Sequence, residues 1–253
     1  MPPVKAAPLD PVALAARFAA AGAKAGFRQE RFGAADGGPM IALTRRAPGI
    51  RPRIYLSAGI HGDEPAPPLA LLSLLDAGAF GGQATWFLCP LLNPDGFVRG
   101  TRENAAGVDL NRDYRHLESP EIRAHAAWLN RQPGFDLAVC VHEDWESVGF
   151  YLYELNPDER PSAAPAMIEA ASRVCPIDMS PVIEGRDAQG GIIRPQLDPA
   201  AREKWPESIY LQVNHTRLSY TIETPSSLAI GVRVEALAAA VRAAVGVVLG
   251  RPL

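Results

Sequence analysis

Apolar residues recur along this chain in two alternating patterns, short runs typical of buried strands and longer stretches typical of helices. Five stretches have helical character. One begins at Asp10-Pro11, and the others cover residues 65–75, 119–131, 162–174 and 231–249. Strand-like runs cover residues 40–47, 54–60, 85–92, 136–141, 149–155 and 218–222. Strands alternating with helices predict an α/β sheet with helices on both faces. No internal repeat or linker divides residues 1–253, so we expect a single domain.

Two segments do not follow these patterns. Residues 93–114 are polar and contain glycine, and they are predicted to form a long loop. Loops of that length are usually functional or disordered. Residues 176–206 are rich in proline and glycine and are predicted to be irregular.

Three of the strand candidates end in residues that bind metals or transfer protons. His61 and Glu64 follow the second strand, His142 follows the strand at 136–141, and Glu223 follows the last strand. Ligands of open α/β sheets bind outside the carboxyl ends of the strands, so one sheet could bring these side chains together. A catalytic zinc takes three protein ligands and leaves a fourth position open for water.

His61, Glu64 and His142 are therefore the candidate metal ligands. The competing interpretation of His61 and Glu64 is an ordinary polar turn, since this spacing often occurs by chance. The other histidines lack a partner at ligand spacing: His125 lies within a helix, and His116 and His215 lie in loops.

Composition excludes several classes of protein. The chain has 253 residues, 47% of them hydrophobic, and a formal net charge of −3, which indicates neither nucleic-acid nor membrane-surface binding. Three cysteines without a CxxC spacing make a disulfide framework improbable. The N-terminus is a poor signal peptide and no run has the length of a membrane span, so we expect a cytoplasmic protein.

The polar loop contains several short motifs in a characteristic order. It carries Asn-Pro-Asp-Gly at 93–96, Thr-Arg-Glu at 101–103 and Gly-Val-Asp-Leu-Asn-Arg at 107–112. Together with His-Gly-Asp-Glu at 61–64, His142 and Ile-Glu-Thr at 222–224, this order resembles the zinc carboxypeptidase family. The similarity is closer to its short bacterial branch, which includes murein peptide amidases, and it covers roughly residues 54–225.

The resemblance implies a three-layer α/β sandwich around a mixed, largely parallel eight-stranded sheet. It also implies one zinc ion held by His61, Glu64 and His142. The further roles that it implies are Glu223 as the general base, Arg102 as the group that polarises the carbonyl, Asn111 and Arg112 as the holders of a terminal carboxylate, and Asp109 as the acid that orients the first zinc histidine. Metal-activated water would then attack an amide bond.

Three functions stay open on the sequence alone. The leading hypothesis is a peptidase or amidase acting on a small peptide with a free carboxylate. The second is an N-acyl amino acid deacylase, and the third is a catalytically silent binding domain. Two features are also open: whether Tyr151, Tyr153 or Tyr210 covers the substrate, and whether the acidic run 142–147 selects an amine or is merely solvated.

Overall fold

The chain folds as alternating strands and helices, and the computed structural model describes residues 9–196, 198–251 and 253. The helices are α1 (Pro11–Lys24), α2 (Ala66–Asp76), α3 (Pro94–Arg99), α4 (Pro120–Leu129), α5 (Ala164–Ser172), α6 (Glu207–Asn214) and α7 (Ile230–Leu249). The strands are β1 (Arg28–Ala35), β2 (Gly38–Arg45), β3 (Arg53–Ala58), β4 (Thr85–Cys89), β5 (Leu137–Asp144), β6 (Tyr151–Leu155), β7 (Val182–Ile183), β8 (Arg186–Gln189), β9 (Ile192–Ile193) and β10 (Ser219–Pro225).

One mixed sheet runs through the molecule in the order β1-β2-β4-β3-β5-β10-β6-β9-β8-β7. The central strands β4, β3, β5 and β10 are parallel to one another. Antiparallel pairs flank them on both sides. The predicted α/β class and mixed sheet are confirmed, but the expected count of eight strands is wrong because the described residues form ten. The expected parallel pairing holds for the centre of the sheet and for β6 with β9, while the other neighbouring strands are antiparallel.

Alternate residues of each central strand face different helical layers. Leu137, Val139 and Val141 of β5 pack into the larger core, beneath α1, α2, α5 and α7. Ala138 and Cys140 face the smaller core beneath α4 and α6. Because side chains alternate along a strand, His142 continues the face of Cys140. His142 therefore lies on the face of the sheet that packs against α4 and α6.

Capping side chains begin the first and third helices. Asp10 accepts hydrogen bonds from the backbone of Val12 and Ala13, which starts α1 as predicted. Asn93 accepts from the Gly96 amide at 2.9 Å, with a proline at the first helical position, and so starts α3. The segment predicted as one long loop therefore contains a six-residue helix and, at Leu110–Arg112, a 3₁₀ turn.

The segment predicted as irregular contains regular structure as well. Residues 176–206 include β7, β8 and β9, which extend the sheet beyond β6. These strands are two to four residues long, too short for a periodic apolar pattern to predict them. Among the described helices, none is both long enough and apolar enough to span a bilayer. The cytoplasmic location stays a prediction.

Candidate metal centre

The three candidate metal ligands converge at the carboxyl ends of two paired strands. β3 and β5 are parallel, with Ala58 opposite Val141, so His61, which follows β3, comes close to His142 near the end of β5. Glu64 lies one turn further along the chain. Each of the three offers a ligand atom within 4.8 Å of the other two, and all three are buried. The structure thus brings together the residues that the sequence singled out.

The Glu64 carboxylate lies between the two imidazoles. Its Oε1 is 2.6 Å from Nδ1 of His61, and its Oε2 is 3.1 Å from Nδ1 of His142. Burial raises the pKa of Glu64, but the two histidines outweigh burial and hold that pKa below its usual range. Burial lowers the pKa of His61, but Glu64 and Asp109 outweigh it and raise that pKa to about 9. Two nitrogens and a carboxylate around one point fit the donor set of a divalent transition metal.

Two glycines shape the turn that carries His61 and Glu64. Gly59 ends β3 with φ of 68°, a conformation that favours glycine, and its carbonyl accepts from the amides of Leu92 and Asn93. Gly62 lies against the backbone of α3: a Cβ there would come within 1.9 Å of the Gly96 carbonyl carbon. The turn that carries His61 and Glu64 and the Asn-Pro-Asp-Gly motif are therefore in direct backbone contact.

Asp109 joins the metal cluster to Arg102. Its Oδ1 is 3.2 Å from Nε2 of His61, on the opposite side of the ring from Glu64. Its Oδ2 accepts from Nε of Arg102 at 2.9 Å, and burial of the carboxylate is outweighed by these partners, which lower its pKa. A carboxylate on the second nitrogen of a metal-binding imidazole fixes the orientation and tautomer of the ring.

Glu223 lies beside His142 on the neighbouring strand. β10 is parallel to β5 with Glu223 opposite His142, and antiparallel to β6 with Glu223 opposite Tyr151. The three side chains therefore share one face of the sheet. Burial, then repulsion from Glu64 and Asp144, raises the pKa of Glu223 well above its usual range.

Asn111 and Arg112 follow Asp109 on the 3₁₀ turn and reach the same cavity. The Asn111 side-chain oxygen accepts from the backbone amide of Glu207 at 2.8 Å, which leaves its NH2 group as the donor for a ligand. Arg112 is exposed, and one guanidinium nitrogen donates to the Asn111 carbonyl at 2.8 Å.

A cavity of about 840 Å³ connects these groups. Its lining includes His61, Glu64, Arg102, Asn111, Arg112, His142, Tyr151, Tyr153, Arg186, Arg202, Glu207 and Glu223. Of the three candidate tyrosines, Tyr151 and Tyr153 line the cavity, whereas the hydroxyl of Tyr210 donates to Asn130 at 3.0 Å. A cavity of this size accommodates a small peptide or acyl amino acid.

The acidic run after His142 is only partly solvated. Glu143 is buried, accepts from the amide of Ala66 at 3.0 Å and pairs with Arg233 of α7 at 2.8 Å. Burial and the Glu64 charge raise the pKa of Glu143 to about 8, against the opposing effect of Arg233. Asp144 accepts from the hydroxyl of Tyr151 at 3.0 Å, while Trp145 is 66% exposed.

Sequence reasoning missed Glu207, which lies at the start of α6. Its carboxylate is buried and accepts from Tyr55 at 2.7 Å and from Ser57 at 2.9 Å. Tyr55 also contacts His125, which is a core residue. Burial raises the pKa of Glu207 to about 7, against the hydrogen bonds from Tyr55 and Ser57. The only local signal was Pro206, which does not distinguish a helix start from a loop.

Several known proteins are similar to this chain in sequence or in fold. The model of the succinylglutamate desuccinylase/aspartoacylase catalytic domain matches residues 50–174. Carboxypeptidase SOL1 of Arabidopsis thaliana is 31% identical over 36% of this chain, which spans only 23% of that relative's length. A Shewanella amazonensis structure named as a candidate metallopeptidase shares 24% identity and a TM-score of 0.80, covering 92% of this chain and 91% of its own.

A metallo-carboxypeptidase of Pseudomonas aeruginosa, solved with (2-guanidinoethylmercapto)succinic acid, superimposes with a TM-score of 0.65 at 22% identity. It covers 93% of this chain and 69% of its own. The fold is that of solved structures called metallopeptidases, and the sequence matches lie in a desuccinylase/aspartoacylase domain and in carboxypeptidases. The chain is thus similar to zinc carboxypeptidase-like proteins in fold and in parts of its sequence.

Proposed function

We propose that this protein is a zinc-dependent hydrolase that cleaves an amide bond in a small peptide bearing a free carboxylate. The observation that carries the proposal is one cavity lined by the buried cluster of His61, Glu64 and His142, by Glu223 in register on the next strand, and by Arg112. Chemistry and carboxylate recognition are thus combined in a space of substrate size.

Each group in the cavity has a role that its surroundings support. Zinc held by His61, Glu64 and His142 would supply a Lewis acid and lower the pKa of a water molecule to roughly 7. Glu223 accepts the proton of the attacking water, because its side chain lies opposite His142 on the adjoining strand, on the face of the sheet that carries the cluster. The same carboxyl then gives that proton to the leaving nitrogen.

Two arginines have the remaining roles, stabilisation of the carbonyl oxygen and binding of the substrate carboxylate. Arg102, held by Asp109 at 2.9 Å beside the cluster, stabilises the negative charge that develops on the carbonyl oxygen. Arg112 holds the substrate carboxylate with its planar fork, and the Asn111 amide donates beside it. A substrate without that carboxylate would bind less well and in less defined positions.

A second candidate function is the removal of an acyl group from an N-acyl amino acid. The family match to the desuccinylase and aspartoacylase domain favours it, whereas the similarity to carboxypeptidase SOL1 favours peptides. Both reactions hydrolyse an amide next to a carboxylate, and the same residues would serve both.

The test is hydrolysis of dipeptides and N-acyl amino acids by the zinc-loaded protein, with Glu223→Gln as the informative variant. We expect Glu223→Gln to keep the metal, measured by metal analysis, and to lose about 10²–10⁴-fold in kcat. Glu169→Gln, an exposed carboxylate on α5, is the matched control and should leave kcat unchanged. Normal turnover by Glu223→Gln would refute the role of Glu223. A zinc-loaded protein that hydrolyses neither class would instead indicate a binding domain.

A further inference from the structure

Besides Arg233, which is paired with Glu143, the cavity contains two arginines that the proposed reaction does not use. Arg186 and Arg202 line it together with Arg112, and the three come from separate segments of the chain. Arg186 begins β8, Arg202 lies in the loop before α6, and Arg112 ends the 3₁₀ turn. Three guanidinium groups from three segments therefore face one cavity.

The loop that carries Arg202 is fastened to the segment that follows Arg112. Arg115 donates to the carbonyls of Ala200 and Arg202, and its guanidinium lies 5.9 Å from the ring centroid of Trp205. The Trp205 indole donates to Pro199 at 3.0 Å, and the Trp205 carbonyl accepts from the Tyr114 amide at 3.2 Å. These bonds hold Arg202 on a defined side of the cavity.

Arg186 is placed by a tight hairpin. Strand β8 pairs with β7 on one side and with β9 on the other, which joins the hairpin to the sheet through β6. The turn between β7 and β8 has Glu184 at φ 51° and Gly185 at φ 67°. A glutamate with a left-handed backbone is costly, and such residues concentrate at functional sites. The hairpin thus has a strained turn beside the cavity.

Arg186 and Arg202 lie near other positive charges. Within the described part of the chain, Arg186 and Arg202 form no ion pair with a carboxylate. Burial, and then the positive charges of Arg186 and Arg112, lower the pKa of Arg202. The carboxyl group of Glu184 lies near other acidic groups: burial, and then repulsion from Asp144 and Glu146, raises its pKa. Neighbouring like charges without a counter-charge favour an anionic ligand.

We propose that Arg186 and Arg202 form a second anion subsite, which binds a second carboxylate of the substrate beside the one that Arg112 holds. The inference rests on the proposed function and narrows its substrate to a dicarboxylate, such as a peptide or acyl amino acid with an acidic side chain next to the scissile amide. Arginine suits this role because its planar fork binds carboxylates through paired hydrogen bonds.

Binding of product-like ligands tests the subsite without any turnover. N-acetyl-glutamate and N-acetyl-glutamine differ by one carboxylate, and each is titrated calorimetrically, in both enantiomers, into the zinc-loaded protein. We expect about tenfold or more tighter binding of the glutamate, and loss of that preference in the double variant R186Q/R202Q. R186K/R202K, which keeps the charges but not the forks, should retain part of the preference.

The matched control is Arg51→Gln, an exposed arginine that precedes β3 at the opposite end of the strand from the site. It should leave the preference unchanged. Thermal unfolding of every variant establishes that each is folded, and single R186Q and R202Q variants replace the double variant if it is not. Equal binding of the two ligands by the wild-type protein, or an undiminished preference in R186Q/R202Q, would overturn the subsite.

Hydrolysis measurements distinguish a failure of the proposed subsite from a failure of the proposed hydrolase function. Dipeptides ending in glutamate or glutamine are compared for kcat and KM. A subsite for the second carboxylate predicts that R186Q/R202Q raises KM for the acidic substrate and leaves the neutral one unaffected. Turnover of both substrates with equal kcat/KM would refute the subsite while the hydrolase stands. A calorimetric preference without any turnover would support the subsite and refute the hydrolase.

Discussion

Two walls of the same cavity are built in different ways. The first, which we term the strand wall, consists of His61, Glu64, His142 and Glu223 at the ends of β3, β5 and β10. The second, the arginine wall, consists of Arg186 and Arg202 on a short hairpin and a loop. Three side chains of the strand wall are buried and interlocked by hydrogen bonds, whereas the arginine wall is partly exposed.

The difference separates chemistry from selectivity. Groups that bind a metal must keep their spacing, and paired strands at the centre of a sheet provide that spacing. Groups that choose a substrate tolerate change because surface loops vary at little cost to the fold. Substitutions in the strand wall should therefore affect metal binding or stability, and those in the arginine wall should affect ligand preference alone.

The largest effect is expected from removing a metal ligand. His142→Ala should abolish stoichiometric zinc binding, with a loss of affinity greater than the about 10–100-fold typical of an outer residue. Metal analysis after dialysis measures it. His116→Ala, an exposed histidine outside the cluster, is the control and should bind one zinc. Full zinc retention by His142→Ala would disprove the assigned ligand set.

A large loss of stability is expected from breaking the buried ion pair behind the strand wall. Arg233→Met leaves Glu143 buried without its cation, and we expect the free energy of unfolding to fall by about 3 kcal/mol. Urea denaturation at pH 9, above the raised pKa of Glu143, measures it. The double variant Arg233→Met/Glu143→Gln should recover much of the loss, since no charge then stays buried. No recovery would attribute the effect to packing.

Glu207, a buried residue that lines the cavity, should make the stability of the fold depend on pH. The pKa of Glu207 is raised from 4.5 to about 7, so the folded state keeps a proton that the unfolded chain releases. Its stabilising contribution is complete below pH 4.5 and is lost as the pH rises to about 7, by about 3 kcal/mol in all. Glu207→Gln should remove this part of the slope, measured by urea denaturation at pH 4.5, 6 and 8. Identical slopes would show that Glu207 does not titrate in this range.

A smaller effect on the metal is expected from Asp109→Asn. The amide keeps the shape but loses the charge beside His61 and Arg102, and zinc affinity should fall by about 10–100-fold. Competition with a chromogenic chelator measures the affinity. Asp113→Asn is unsuitable as a control because Asp113 accepts from Ser119, so the exposed Asp187→Asn is used instead. Unchanged affinity would separate Asp109 from the metal site.

The smallest effect on stability is expected in the turn of the hairpin β7–β8, next to Arg186. Glu184→Gly relieves a left-handed backbone and should raise the free energy of unfolding by up to about 1 kcal/mol. Asp187→Gly, on the adjoining strand β8, should lower it, because glycine weakens a strand. Chemical denaturation of both variants tests the contrast. A loss of stability in Glu184→Gly would mean that the side chain, rather than the turn, holds the hairpin.

The strand wall could be predicted from the sequence because its residues follow apolar runs long enough to show a period. His61 and His142 each end such a run, and parallel pairing then brings them together. The arginine wall could not be predicted, since β7 and β9 have two residues each and Arg202 lies in a loop whose position depends on Arg115 and Trp205. Glu207 was missed because only the folded core reveals its burial beside Tyr55.

The contact between Gly62 and the backbone of α3 has a consequence for anyone who would rebuild this site elsewhere. A Cβ at Gly62 would overlap the Gly96 carbonyl, and a Cβ at Gly96 would come within 2.5 Å of the side-chain nitrogen Nδ2 of Asn93. His-Gly-Asp-Glu and Asn-Pro-Asp-Gly, which are separated by 28 intervening residues, therefore pack directly against each other. If residues 61–64 alone were grafted onto another protein, they would lack the backbone of α3 against which Gly62 packs, so both motifs have to be transplanted together.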